Sequence, residues 1–239
     1  MSTNQIILGG NLFSYALNAR ETKKLLDYSF DKGCRSIDTA DVYSNGASEE
    51  LIGNSIKKNR SEWFIATKLG VQSHEKVENI NSKKNIYLRL DASLKRLKTD
   101  YVDLYQLHHY DPTVPIDELL EALIRCKEQG KLLNFGVSNY RNKNLLDLLD
   151  QNKLEIYSNQ IHFNIINRQA EIEYLESRLK GVNFIAYNVL GRGLFREEFL
   201  SEGYKSFRSK KSDSVRSDLT DDFKNVLKIL DTYSKRFNI

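Results

Sequence analysis

The strongest constraint on this chain is a rhythm. Short apolar runs of three to seven residues recur along it, and each is separated from the next by an amphipathic stretch of about three helical turns. Helices of that length carry the chain back across a sheet, so consecutive strands run parallel, and the pattern predicts an α/β fold. Strands are expected at residues 6–8, 36–38, 63–68, 102–108, 132–138, 157–163 and 182–187.

The helices between them show the period of a buried stripe. Ile86, Leu90, Leu94 and Leu97 follow the i, i+4, i+8, i+11 series in the third. Leu119, Leu120, Leu123 and Ile124 do the same in the fourth, which Gly130 is placed to end. Leu145, Leu146, Leu148 and Leu149 form the apolar face of the fifth, with Arg141 near its start. Gly33 and Gly181 are placed to close helices just before strands. Seven strands and six crossovers point to a TIM-type (β/α) barrel, incomplete by one strand, rather than to a doubly wound sheet. After the first strand Gly9-Gly10 is followed by Asn11, which breaks the glycine pattern of a Rossmann nucleotide site.

Composition narrows the class. The 239 residues, with no Pro- or Gly-rich linker, are read as a single domain spanning 1–239, and 40% hydrophobic with 28% charged residues is the balance of a globular protein. The excess of 36 basic over 32 acidic residues is too small for a nucleic-acid footprint. No apolar run approaches the ~20 residues of a membrane span. The first residues lack the basic-then-apolar layout of a signal peptide, which makes a cytoplasmic location the expectation. Cys34 and Cys126 have no partners at metal-ligand spacing and are expected to be buried, inert thiols. A tract at residues 205–216 carries five Lys or Arg among serines and reads as a solvated loop, with phosphate contact the alternative.

Four chemically distinct side chains fall at the C-terminal ends of strands, the face on which a barrel builds its active site. They are Asp38 and Tyr43 in Ile37-Asp-Thr-Ala-Asp-Val-Tyr43, Lys68 in Phe64-Ile-Ala-Thr-Lys68, and His108 in Leu104-Tyr-Gln-Leu-His108. A phenol can protonate a carbonyl oxygen if an ammonium lowers its pKa from the usual ~10. A carboxylate would hold the ammonium, and an imidazole would orient the substrate. Taken singly, each residue has a plainer explanation: a turn Asp, a packed Tyr, a snorkelling Lys, a core His. His109 competes with His108, and strand alternation sends such neighbours to opposite faces, so only one of the two is expected to face the site.

In type, order and position these motifs resemble the Asp–Tyr–Lys–His tetrad of the aldo-keto reductases, NAD(P)H-dependent carbonyl reductases on a (β/α) barrel. The likeness continues along the chain. Gly46-Ala-Ser-Glu-Glu-Leu-Ile-Gly53 looks like the family's segment after its catalytic Tyr. Phe135-Gly-Val-Ser-Asn139 and Asn159-Gln-Ile-His-Phe-Asn164 are similar to its fifth and sixth strands. The resemblance implies that Ser138, Asn139 and Gln160 hold the nicotinamide carboxamide of NADP or NAD. By the same likeness Tyr187 stacks on the ring, and Leu190, Gly191 and Gly193 let backbone approach the pyrophosphate. Asn188 and Val189 stand where the family commonly has Ser-Pro, and Phe163 where it has Tyr.

The expectation is therefore an oxidoreductase acting on a small carbonyl substrate, sugar-like substrates included, without metal, nucleic acid or membrane. A scaffold that keeps the tetrad but no longer turns over, and another barrel chemistry reusing Lys68, are the alternatives. Measured against the family, the chain ends before an eighth βα unit and its adenosine-phosphate clamp. Two sheet edges would then need covering: by strained closure, by a plug at residues 221–237, or by edge pairing in a homo-oligomer.

Overall fold

A computed structural model describes residues 6–70, 79–141, 143–151, 153–193 and 221–237. The basic tract at 205–216 lies outside the described residues. Contacts divide the chain into two units, one of residues 1–160 with 180–183 and one of 161–179 with 184–239.

Seven parallel-type strands are found among the described residues: β1 Leu8–Gly9, β2 Ser36–Asp38, β3 Phe64–Leu69, β4 Val102–Leu107, β5 Leu132–Ser138, β6 Ile156–His162 and β7 Asn183–Tyr187. Their order in the sheet is their order in the chain. Each pairing from β1 to β6 is parallel. The helices are α1 Ala19–Asp31, α2 Ala47–Ile56, α3 Lys83–Leu97, α4 Ile116–Glu128, α5 Lys143–Asp150, α6 Glu171–Leu179 and α7 Asp221–Phe237. This is the expected (β/α) barrel architecture with seven strands. Every strand is displaced by at most two residues from its sequence-based position, and β4 stops one residue before His108.

In the first unit the core lies between the sheet and its helices. Ile86, Leu90, Leu94 and Leu97 are all buried on α3, as their spacing predicts. Ile124 is only half-buried, while Cys126 on the same helix is buried. Burial pushes the Cys126 thiol up to about 11, which keeps it protonated and unreactive. Cys34, which precedes β2, departs from the expected burial: it is half-buried. Helix α1 begins with a capping box in which Asn18 and Glu21 satisfy each other's backbone N–H groups.

Glu49 on α2 is fully buried and matched twice. It accepts from Thr67 Oγ1 at 2.6 Å and from Arg96 Nε of α3 at 2.7 Å. A buried carboxylate needs such partners, and the pair locks α2, α3 and β3 together.

In the second unit, β6 runs into residues that face β7, where Phe163 N–H donates to Tyr187 C=O at 3.2 Å. The helix expected at residues 221–237 forms. On it Leu227 is buried and Val226 half-buried, whereas Leu230 and Tyr233 are exposed.

Gly53 sets the closest approach of α2 to α3. A Cβ there would lie 2.5 Å from Leu97 O and 2.6 Å from Arg96 O, both rigid backbone atoms. Gly→Ala within a helix normally gains up to about 1 kcal/mol, but forced overpacking costs about 1–3 kcal/mol. Gly53→Ala should therefore destabilise the chain by about 1 kcal/mol in urea unfolding, the overpacking cost less the helix gain; equal or greater stability would show that the helices separate freely.

Candidate active site

The first unit brings Asp38, Tyr43, Lys68 and His108 together. Asp38 ends β2, Lys68 is the fifth residue of β3, and their parallel register puts both at one end of the sheet. Lys68 Nζ is fully buried and lies 2.5 Å from Asp38 Oδ2, 2.8 Å from Thr39 O and 3.5 Å from Tyr43 Oη. An ammonium has three donors and no acceptor, so these three oxygens receive all of its protons. Burial pulls the Lys68 pKa down, but the Asp38 carboxylate and then Tyr43 outweigh it, and the net direction is up. Lys68 stays charged.

Tyr43 is half-buried on the short turn Tyr43–Gly46 that follows β2. The Lys68 ammonium also sits over its ring, 5.1 Å from the centroid. Because Lys68 can only donate, the phenol oxygen is the acceptor in its hydrogen bond with Nζ.

His108 meets Tyr43 edge-on, with ring centroids 5.9 Å apart and planes at 78°. Burial, then the Lys68 ammonium, then His109 hold its pKa well below the usual imidazole value, so the ring is neutral near pH 7. The expectation that alternation sends His108 and His109 to opposite faces does not survive. Strand β4 ends at Leu107, and beyond it the two rings stack in parallel, 4.9 Å apart at 3°. What distinguishes His108 is its contact with Tyr43, not its strand parity.

Asp38 has a wider role than holding Lys68. Its other oxygen, Oδ1, accepts from Gln160 Nε2 at 3.0 Å and from Gln106 Nε2 at 3.2 Å. Gln106 was not singled out from the sequence, although it stands inside the Tyr-Gln-Leu-His segment. The register pairs it with Lys68 on one side and Gly136 on the other, directly beside the ammonium. It is fully buried, and among the described residues its Oε1 has no hydrogen-bond partner.

Ser138, Asn139 and Gln160 also gather here. Ser138 and Gln160 are register partners at the ends of β5 and β6, and Ser138 Oγ donates to Gln160 O at 2.9 Å. Asn139 adopts the left-handed conformation, φ 59°. Its Nδ2 donates to His108 O at 3.0 Å and to Ser138 Oγ at 3.1 Å. The three thus tie the tetrad's strands to one another.

Tyr187, Leu190, Gly191 and Gly193 belong to the second unit. Tyr187 stacks on His162, centroids 5.3 Å apart at 19°, and Leu190 is exposed. Gly191 and Gly193 take φ of 56° and 91° in a tight turn, where their N–H groups donate to Asn188 O and Leu190 O, both at 3.0 Å. Glycine is needed there for backbone conformation in its own right.

One further acid stands between Asp38 and Tyr43. Asp41 is buried, and desolvation pushes its pKa up to about 6 despite the opposing Arg89 guanidinium, with Glu49 adding to the rise. A raised carboxylate favours folding most when protonated. Its contribution is complete below the usual pKa near 3.8 and is lost as pH climbs through about 6, amounting to about 3 kcal/mol at ~1.4 kcal/mol per pH unit. Asp41→Asn, which cannot ionise, should gain on the parent chain by that order between pH 4 and pH 7.5 in urea unfolding. An offset that does not vary with pH would show that Asp41 ionises as an ordinary carboxylate.

Residues 5–238 match the family model described as the aldo/keto reductase family. The chain is 30% identical to the aldo-keto reductase YhdN of Bacillus subtilis over 82% of its own length and 61% of that protein's. It is 31% identical to L-glyceraldehyde 3-phosphate reductase of Escherichia coli strain K12, over 77% of its own length and 57% of that enzyme's. It therefore spans about three-fifths of these two relatives. Among solved structures, the holo form of aldo-keto reductase AKR11C1 from Bacillus halodurans superposes with a TM-score of 0.74 at 29% identity, covering 84% of this chain and 67% of that one. The chain belongs to the aldo/keto reductase family.

Proposed function

We propose that the chain reduces an aldehyde or ketone with hydride from NAD(P)H, Tyr43 supplying the proton to the carbonyl oxygen. The observation that carries this reading is the line Asp38–Lys68–Tyr43, whose buried ammonium lies 2.5 Å from the carboxylate and 3.5 Å from the phenol oxygen. The names of the relatives, reductases of small carbonyl compounds among them, support it.

Ser138, Asn139 and Gln160 would hold the nicotinamide: a hydroxyl and two amides in one connected edge are the group types that suit a carboxamide, which both donates and accepts, and binding would exchange some of their present hydrogen bonds. Gln160 joins that edge to Asp38, so a ring held there lies next to the acid–base pair. When bound, the dinucleotide would supply the hydride.

The side chains supply the rest. Tyr43 gives up its proton as charge develops on the carbonyl oxygen. The phenolate left behind faces the Lys68 ammonium, an attraction on the order of 4 kcal/mol at an effective dielectric near 20. Lys68 remains protonated because Asp38 compensates its burial, so it acts as a fixed charge and not as a proton carrier. His108, neutral and edge-on to Tyr43, is suited to donate a hydrogen bond to the same oxygen and fix its direction. This reading rests on residues of the first unit alone.

Tyr43→Phe should lower the rate of 4-nitrobenzaldehyde reduction by ~10²-fold or more and leave dinucleotide affinity within a few-fold. Lys68→Met should abolish turnover or move the pH profile of kcat upward. A threefold loss in the first variant, or an unchanged rate and pH profile in the second, would remove the acid–base assignment. Dinucleotide binding by a parent chain that never turns over would instead indicate a binding scaffold.

A further inference from the structure

Asp41, Gly70 and Arg89 form a closed three-way clasp outside the tetrad. Asp41 Oδ1 accepts the Gly70 N–H at 3.0 Å. Arg89 Nη1, reaching from α3, donates to Asp41 Oδ2 at 2.6 Å and to Gly70 O at 2.6 Å. Both polar groups of Gly70 are thus gripped by two side chains that also pair with each other. Asp41 is 8% exposed, so the pair is sheltered enough to hold a defined geometry and is not an ordinary surface ion pair.

The clasp stands where three catalytic elements meet. Asp41 is two residues from Tyr43, and its own N–H donates to Lys68 O at 3.2 Å. Gly70 is two residues beyond Lys68, and the intervening Leu69 accepts the His108 N–H at 3.0 Å. Gly70 also lies against the Nδ1 edge of the His108 ring: a Cβ there would come within 2.4 Å of Nδ1 and 3.2 Å of Cγ. Its φ is outside the left-handed region, so the backbone conformation does not require glycine; the imidazole does. Among the described residues His108 Nδ1 is buried without a hydrogen-bond partner. On that edge, packing against Gly70 positions the ring in place of a hydrogen bond.

We propose that Asp41 and Arg89 are positioning residues for His108, acting through the backbone of Gly70. The proposal rests on the carbonyl-reductase reading for its kinetic consequence, though not for its geometry. If the clasp opens, the end of β3 moves away from the imidazole, and the ring loses the surface that aims it at the substrate oxygen. Misplacement of a catalytic group by about 1 Å can cost up to ~10²-fold in rate.

The test compares the full-length chain with Arg89→Met, Arg89→Lys and Gly70→Ala. Arg89→Met removes both donors, Arg89→Lys keeps an ammonium able to reach both oxygens, and Gly70→Ala drives a methyl into the ring position. Reduction of 4-nitrobenzaldehyde is measured as kcat and KM, and the His108 ring nitrogens are followed by NMR on histidine-labelled protein without dinucleotide. We expect kcat to fall about tenfold or more in Arg89→Met and Gly70→Ala, with KM and dinucleotide affinity within threefold. The His108 signals should shift in both, while those of His162 stay in place. Arg89→Lys should recover kcat to within threefold of the parent and restore the His108 signals. Should Arg89→Met fail to fold, Gly70→Ala and Arg89→Lys carry the comparison. Unmoved His108 signals in the folded variants overturn the proposal, whether or not kcat falls. A parent chain without turnover would defeat the functional reading only, since the ring shifts would still report the clasp.

Discussion

Burying one ammonium governs the interior of this protein. The Lys68 side chain is completely removed from solvent. The effective penalty for such a charge is several kcal/mol, and no fold retains it without oxygen acceptors on every N–H. A carboxylate, a backbone carbonyl and a phenol supply them. The carboxylate then needs donors for its second oxygen, and Gln106 and Gln160 provide them. One charge thereby dictates what stands at the ends of β2, β3, β4 and β6. Removing a single partner from such a pair typically costs 3–5 kcal/mol, because the other charge remains buried.

Three carboxylates within twelve residues show how neighbours, not residue type, set chemical character. Asp38 faces Lys68 and two amides, whereas Asp41 faces Arg89 and the Gly70 amide. Glu49 faces Arg96 and Thr67. Asp38 holds the buried ammonium, Glu49 joins layers of the fold, and Asp41 stands between those tasks. Its desolvation is incompletely offset, and its pKa rises to about 6.

The architecture was legible from the sequence because a parallel βα fold writes its burial directly into residue periodicity. The stripe Ile86, Leu90, Leu94, Leu97 is a local pattern with one physical solution. That Asp38, Tyr43, Lys68 and His108 would converge was legible because their types are unusual together near strand ends. Gln106 was not, since a glutamine inside an apolar strand announces polarity but not its partner, and Asp38 is far away in sequence. The Asp41–Arg89 pairing was hidden for the same reason: an Asp in a loop and an Arg on a helix are both ordinary. The His109 argument failed because parity applies only while the strand lasts, and β4 ends one residue earlier than expected. Ser138, Asn139 and Gln160 were found as a set, but their ties to His108, to Asp38 and to one another became visible only in three dimensions.

The separations around Asp38 also bear on the order in which the molecule assembles. Its carboxylate is met by Lys68 from 30 residues away, by Gln106 from 68 and by Gln160 from 122. Each neighbouring βα turn closes a short loop, so early strands and helices can dock while the chain is still emerging from the ribosome. The polar interior cannot mature on that schedule. Until β6 has been synthesised, Asp38 lacks its last donor and this end of the sheet remains wet. Asp38, Tyr43, Lys68 and His108 thus all precede in the chain the strand whose Gln160 completes the hydrogen bonding of Asp38.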